Sequence, residues 1–106
     1  MYAVRMRVRA VLRHVAVEFE RDVLASAKPF VGLAVGLGRQ GEDVPLFLAE
    51  VKWSAVFGTY VCQAEDDQAE DAYGDDAEPL VADYVFAGWR EIRRVGLSLC
   101  PPKKAS

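Results

Sequence analysis

The chain opens on a two-residue alternation. Tyr2, Val4, Met6, Val8, Ala10 and Leu12 fall on one side, and Arg5, Arg7, Arg9 and Arg13 on the other. That period predicts a strand with one face on a core. The apolar phase then moves to odd numbers at Val15, Val17 and Phe19, the signature of a one-residue slip, so a β-bulge or sharp bend is expected near Leu12–His14. Arg21–Pro29 is polar and mixed and reads as a connection. Val31, Leu33, Val35 and Leu37 alternate with Gly32, Ala34 and Gly36, a second strand whose small face suits close approach of another layer. Gly38–Asp43 is a turn by composition.

Residues 45–63 form the longest β-prone run. Phe47, Ala49, Val51, Trp53, Ala55 and Phe57 share one face, and Leu48, Glu50, Lys52 and Ser54 the other. Gly58 marks either a bend or the middle of one long strand. With the preceding strand and turn this run makes a hairpin. An acidic segment follows at 63–78, closed by Pro79. From residue 80 to 95 the period changes: Leu80, Val81, Tyr84, Val85, Trp89 and Ile92 approximate a helical stripe. Asp76 or Asp83 is the candidate N-cap, and Gly96 the candidate stop.

The chain has 106 residues, of which 52% are hydrophobic and 27% charged. That describes a single domain, 1–106, with one modest core, and argues against disorder of the whole. The net charge of −3 conceals a division. Eight of the sixteen acids lie between Glu65 and Glu78 with no base among them, leaving a basic body around an insert of charge −8. The uncharged runs Pro29–Gly38 and Trp53–Ala64 are far shorter than the ~20 apolar residues that span a bilayer. Arginines at 5, 7, 9 and 13 interrupt any signal-peptide core. Cys62 and Cys100 make no framework of disulfides. A cytoplasmic protein without membrane insertion is expected.

Tests for chemistry return few candidates. His14 is the lone histidine, and nothing in the sequence brings Cys62 or Cys100 to it as a nucleophile pair would require. Three nitrogen or sulfur ligands at most fall short of a structural zinc site, and the acids do not follow the spacing of a calcium loop. No glycine motif cradles phosphate. The arginine row could meet nucleic-acid phosphates, but it also suits a solvent-facing strand. No catalytic residue, metal or cofactor is expected, and nucleic acid is not the expected partner. The acidic segment has two readings: a solvated loop, or a partner-binding surface formed by Glu65, Asp66, Asp67, Glu70, Asp71, Asp75 and Asp76.

Three segments in order resemble the SecB family of export chaperones. Arg9-Ala-Val-Leu-Arg-His-Val-Ala-Val-Glu-Phe-Glu20 is similar to the family's opening strand. Phe47-Leu-Ala-Glu-Val-Lys-Trp-Ser-Ala-Val-Phe57 is similar to its hairpin strand. Val85-Phe-Ala-Gly-Trp-Arg-Glu-Ile92 is similar to the start of its main helix, with Phe86, Arg90, Glu91 and Ile92 matching. Ala87, Gly88 and Trp89 depart from the family pattern, and the acidic segment stands where the family has an apolar linker. The resemblance implies an atypical, short member that lacks the last helix.

It further implies an α+β fold, an antiparallel four-stranded sheet with one main helix packed on one face. It implies a homo-oligomer, dimer or tetramer, with no enzyme activity and no cofactor. The implied function is a holdase that binds unfolded or partner polypeptide, with Trp53, Phe57, Tyr60 and Trp89 as client-binding candidates; these four also fit an ordinary core or subunit interface. The alternative is a phage or mobile-element interaction module, an inhibitor or assembly protein, that uses the acidic loop.

Overall fold

The computed structural model describes residues 1–37 and 45–97. The expected Gly38–Asp43 turn and Cys100 lie outside the described residues. The strands are β1 (Tyr2–Val11), β2 (Val15–Ala25), β3 (Ala34–Val35), β4 (Leu46–Ser54), β5 (Thr59–Ala64), β6 (Asp67–Gln68) and β7 (Arg90–Gly96), with helices α1 (Glu70–Tyr73) and α2 (Ala77–Phe86). The strands form one curled sheet in the order β3-β4-β5-β1-β2-β7, and β6 also pairs with β1. This corrects the expected α+β fold of a four-stranded antiparallel sheet with one main helix: the described residues are mostly sheet, with two short helices. Seven strands take part, and β1 pairs with β5 and β6 in parallel. Alternation shows that a segment is a strand with one buried face, but it carries no sign of the partner's direction.

Of the two expectations for the phase change after Leu12, the sharp bend holds and the bulge does not: the chain reverses at Arg13 and His14. The Leu12 N–H donates to the Val15 carbonyl at 2.8 Å, closing a hairpin around Arg13 and His14. Across it, Val4 pairs with Val23, Val8 with Phe19 and Ala10 with Val17. A two-residue loop makes each even-numbered position of β1 face an odd-numbered one of β2, so the apolar set changes parity without leaving its face. Arg21–Ala25, expected as connection, continues β2 to the far end of β1.

The long run at 45–63 is a hairpin, β4 and β5, turning at Ala55–Gly58, where the Gly58 N–H donates to the Ser54 carbonyl at 2.8 Å. Gly58 has φ +65°, a conformation that glycine adopts without strain. A register shift between Leu48 and Glu50 corrects the expected face of β4. Leu48 opposite Ala64 and Val51 opposite Cys62 share the core side, whereas Phe47 and Ala49 are exposed. One extra residue in the strand produces this switch.

The strand expected at 31–37 shrinks to β3, which pairs Ala34 with Phe47 and Val35 with Leu46. The helical stripe expected to residue 95 stops at Phe86. Asp76 caps its start by accepting from the Glu78 N–H, and Gly88 (φ +100°) turns the chain into β7. There Glu18 pairs with Arg93 but Phe19 with Glu91, so Ile92 is the extra residue of a second bulge.

The core lies on the sheet face that carries Val4, Val8, Ala10, Val17 and Phe19, under α2 and the segment that brings in Val35 and Leu37. Tyr84 of α2 stacks on Phe19, with ring centroids 3.9 Å apart and planes at 3°. Full burial of a Val, Leu or Phe side chain in this set contributes on the order of 1.5–3 kcal/mol. No helix among the described residues is long and apolar enough to cross a membrane.

Candidate functional site

The two ends of the β1–β2 hairpin are built differently. At the Arg13–His14 end the acidic segment folds back onto the basic strand. The Ala69 N–H donates to the Val11 carbonyl at 3.0 Å. Asp66 pairs with Arg9 at 2.8 Å, and Glu70 with Arg13 at 3.4 Å. Asp75 takes both the backbone N–H of His14 (2.7 Å) and its Nδ1 (2.8 Å); the bond from His14 holds the Asp75 carboxyl below its usual range. Asp67 is buried and accepts from the Tyr84 hydroxyl at 2.6 Å. Glu65 accepts from the Phe47 N–H, and Asp76 caps α2. Asp71 is exposed and has no ion pair among the described residues. The segment is therefore ordered, and six of its seven candidate acids hold a hydrogen-bond or ion-pair partner within the chain.

The face opposite the core is an ion-paired checkerboard. Register places Arg5 beside Asp22, Arg7 beside Glu20 and Arg9 beside Glu18, with Arg90 and Arg93 of β7 completing the rows. Glu20 is the hub. Its carboxylate accepts from Arg7 Nε at 2.8 Å and from Arg90, and Arg5 Nε lies 3.8 Å away. Burial by itself raises the Glu20 carboxyl, but the bonds from Arg7 and Arg90 and the charge of Arg5 outweigh it, and the result is downward. Asp22 is lowered first by its bond from Arg5. The arginine row thus meets most of its countercharge within the chain.

At the Tyr2–Ala25 end, α2 no longer covers the core face. Trp53 is 58% exposed and meets Tyr60 edge-on, centroids 5.0 Å apart. Tyr2 meets the same tyrosine at 6.1 Å. Trp53 and Tyr60 are directly opposed across β4 and β5. Beyond β3, the outer edge of β4 from Ala49 to Ser54 has no strand partner among the described residues. Phe57, 65% exposed, sits in the β4–β5 turn toward the charged face, with the Arg5 guanidinium 5.5 Å from its ring centre. Leu24 and Val56 are also exposed.

Of the four aromatic candidates, the structure brings Trp53 and Tyr60 together and sets Phe57 beside Arg5. Trp89 stands apart and is 3% exposed. Its indole N–H donates to the Leu37 carbonyl at 2.8 Å, and its ring meets Tyr84 edge-on. Sequence reasoning missed Tyr2, Leu24 and Val56 as surface. Tyr2 belongs to the apolar phase of β1, so only the absence of a covering layer exposes it.

Burial pushes the Cys62 thiol up and so keeps it protonated. Among the described residues no group of three or more His, Cys, Asp and Glu side chains could hold a metal ion. No family model matches the chain, and no curated protein or solved structure matches it.

Proposed function

We propose that this protein is a non-enzymatic polypeptide-binding protein, a holdase for extended apolar segments, and that it works at the open aromatic end of its sheet. One observation carries the reading: Tyr2, Tyr60 and Trp53 form a continuous aromatic row, half-buried at Tyr60 and exposed at Tyr2 and Trp53, beside the unpaired edge of β4. A free edge offers backbone donors and acceptors that pair with an extended chain of any sequence, and the aromatic row adds non-directional burial of apolar side chains. Together they fit an unfolded chain better than a folded partner. The SecB resemblance of the three segments supports the same task from the sequence. Those segments lie on the β1–β2 hairpin, on β4 with its turn, and on the passage from α2 into β7.

The test is aggregation of a denatured client diluted into a several-fold molar excess of the protein. The expected result is suppressed light scattering, lost in a Trp53→Ser, Tyr60→Ser double variant. Unchanged scattering with the wild type overturns the reading. Sedimentation of the protein alone gives a separate answer: if a second copy covers Trp53 at all working concentrations, the open end is a subunit interface and the holdase reading falls.

A further inference from the structure

On the charged face, at the same end of the sheet, a groove of about 380 Å³ is lined by Ala3, Leu24, Phe57, Thr59, Arg5 and Asp22. This is the small end of the ~300–1,000 Å³ range of ligand sites, room for about one ring with a short tail. Its walls are apolar except for one ion pair. The Thr59 hydroxyl is turned away, donating to the Ala3 carbonyl at 2.7 Å, and so pins β5 to β1 at the groove.

The polar wall is not neutral. Arg5, Arg7 and Arg90 share two carboxylates, Glu20 and Asp22, in one connected network. Three guanidinium groups against two carboxylates leave one positive charge. Arg5 reaches Asp22 through Nε at 2.9 Å and through Nη2 at 3.5 Å. Its Nη1 group makes no hydrogen bond among the described residues. A guanidinium has five N–H donors in a planar fork, so Arg5 keeps donors free after satisfying Asp22. The Phe57 ring beneath holds the fork in place through a cation–π contact.

We infer that this groove is a binding site for a small apolar carboxylate of about one aromatic ring in size, its ring against Leu24 and Phe57 and its carboxylate on the free edge of Arg5. The site goes beyond the polypeptide-binding reading, because it lies on the opposite face from Trp53 and Tyr60 and does not use them. The same chemistry comes from two sources, a free aromatic acid or the C-terminal residue of a polypeptide.

The test is nuclear magnetic resonance titration of the full-length chain with 3-phenylpropanoate, 3-phenylpropanol and 3-phenylpropylamine. The acid is expected to shift the amides of Ala3, Arg5, Leu24, Phe57 and Thr59 and to bind at least tenfold more tightly than the alcohol or the amine. Raised salt is expected to weaken the acid alone. Equal binding of alcohol and acid, a preference for the amine, or shifts centred on Phe86 of α2 overturns the assignment. Arg5→Gln is expected to bring the acid down to the level of the alcohol. Leu24→Ser, at an exposed site, is expected to weaken the acid several-fold; it keeps the test decisive should Arg5→Gln fail to fold. A peptide ending in phenylalanine with a free carboxylate identifies the source. Tighter binding than phenylpropanoate, lost on amidation, assigns the site to polypeptide ends; weaker binding assigns it to free acids, and either keeps the proposal.

Discussion

At the Arg13–His14 end of the β1–β2 hairpin, the basic side chains find their countercharge within the chain. The acidic segment folds back beside the turn, where the Arg13 N–H donates to the Gly74 carbonyl, and Asp66, Glu70 and Asp75 meet Arg9, Arg13 and His14. At the Tyr2–Ala25 end, the same two strands run out with Tyr2, Leu24 and neighbouring Trp53 and Phe57 exposed. The Arg13–His14 end consumes charge that would otherwise give a strongly polar surface. The open end leaves apolar area in water, where contiguous patches mark interaction sites. Exposed charge in this molecule is mainly structural, and exposed apolar surface is where binding is proposed.

The sharpest way to break that comparison is to truncate one aromatic at each end. Tyr84→Ala removes the ring stacked on Phe19 and the hydroxyl that serves buried Asp67. It should cost about 3–5 kcal/mol in urea denaturation. Trp53→Ser at the open end should cost less than about 0.5 kcal/mol while abolishing client protection. Comparable losses at both sites would show that Trp53 is core.

Asp67→Ala comes next. It leaves the Tyr84 hydroxyl without its described acceptor in a buried place, and about 1–3 kcal/mol should be lost. Replacing Asp66, Glu70 and Asp75 together by amides should lower the urea midpoint only slightly, since each of these pairs is exposed and screened by solvent. The loss should shrink in high salt.

The pH dependence is the smallest and most distributed effect. Glu20, Asp22 and Asp75 have folded-state values below their ordinary 4.5, 3.8 and 3.8. The unfolded chain therefore binds protons before the folded one does. The stability from these groups is complete above about pH 5 and is lost as the pH falls through the ordinary carboxylate range and on through the lower folded values. Urea midpoints measured between pH 7 and pH 3 should fall toward acid, with a shallower fall in Glu20→Gln. Asp22 and Asp75 are about half exposed, so their share is discounted for screening.

Much of this was legible in the residues. The alternation of β1, the cap at Asp76 and the acidic segment all stand where the pattern puts them. The misreadings share a cause. A parity change from Leu12 to Val15 is produced equally by a bulge and by a two-residue hairpin, and only pairing distinguishes them. Leu48 and Val51 share a face because Ala49 lies at a bulge, which leaves no mark in hydropathy. Trp89 and Ile92 fit a helical stripe by number, yet Gly88 at φ +100° ends the helix and both belong to the chain entering or forming β7. The candidate site was half visible. Trp53 and Tyr60 stand out as aromatic positions, but that Trp53 is exposed and Tyr60 half-buried depends on how far α2 reaches along the sheet, a property of the assembled layers.

The parallel seam between β1 and β5 has a consequence for how the molecule assembles. Each hairpin, β1–β2 and β4–β5, closes through neighbours in sequence, and such closure takes ~1–10 μs. The seam joins Val4 to Tyr60 and Met6 to Cys62, contacts that become available only after the intervening chain has crossed between the two hairpins. Long-range parallel pairing is intrinsically slow, so the seam is expected to form after both hairpins. Until it zips, the inner edges of β1 and β5 are both unpaired. For that interval the folding chain offers unpaired strand edges of the same kind as the outer edge of the finished β4.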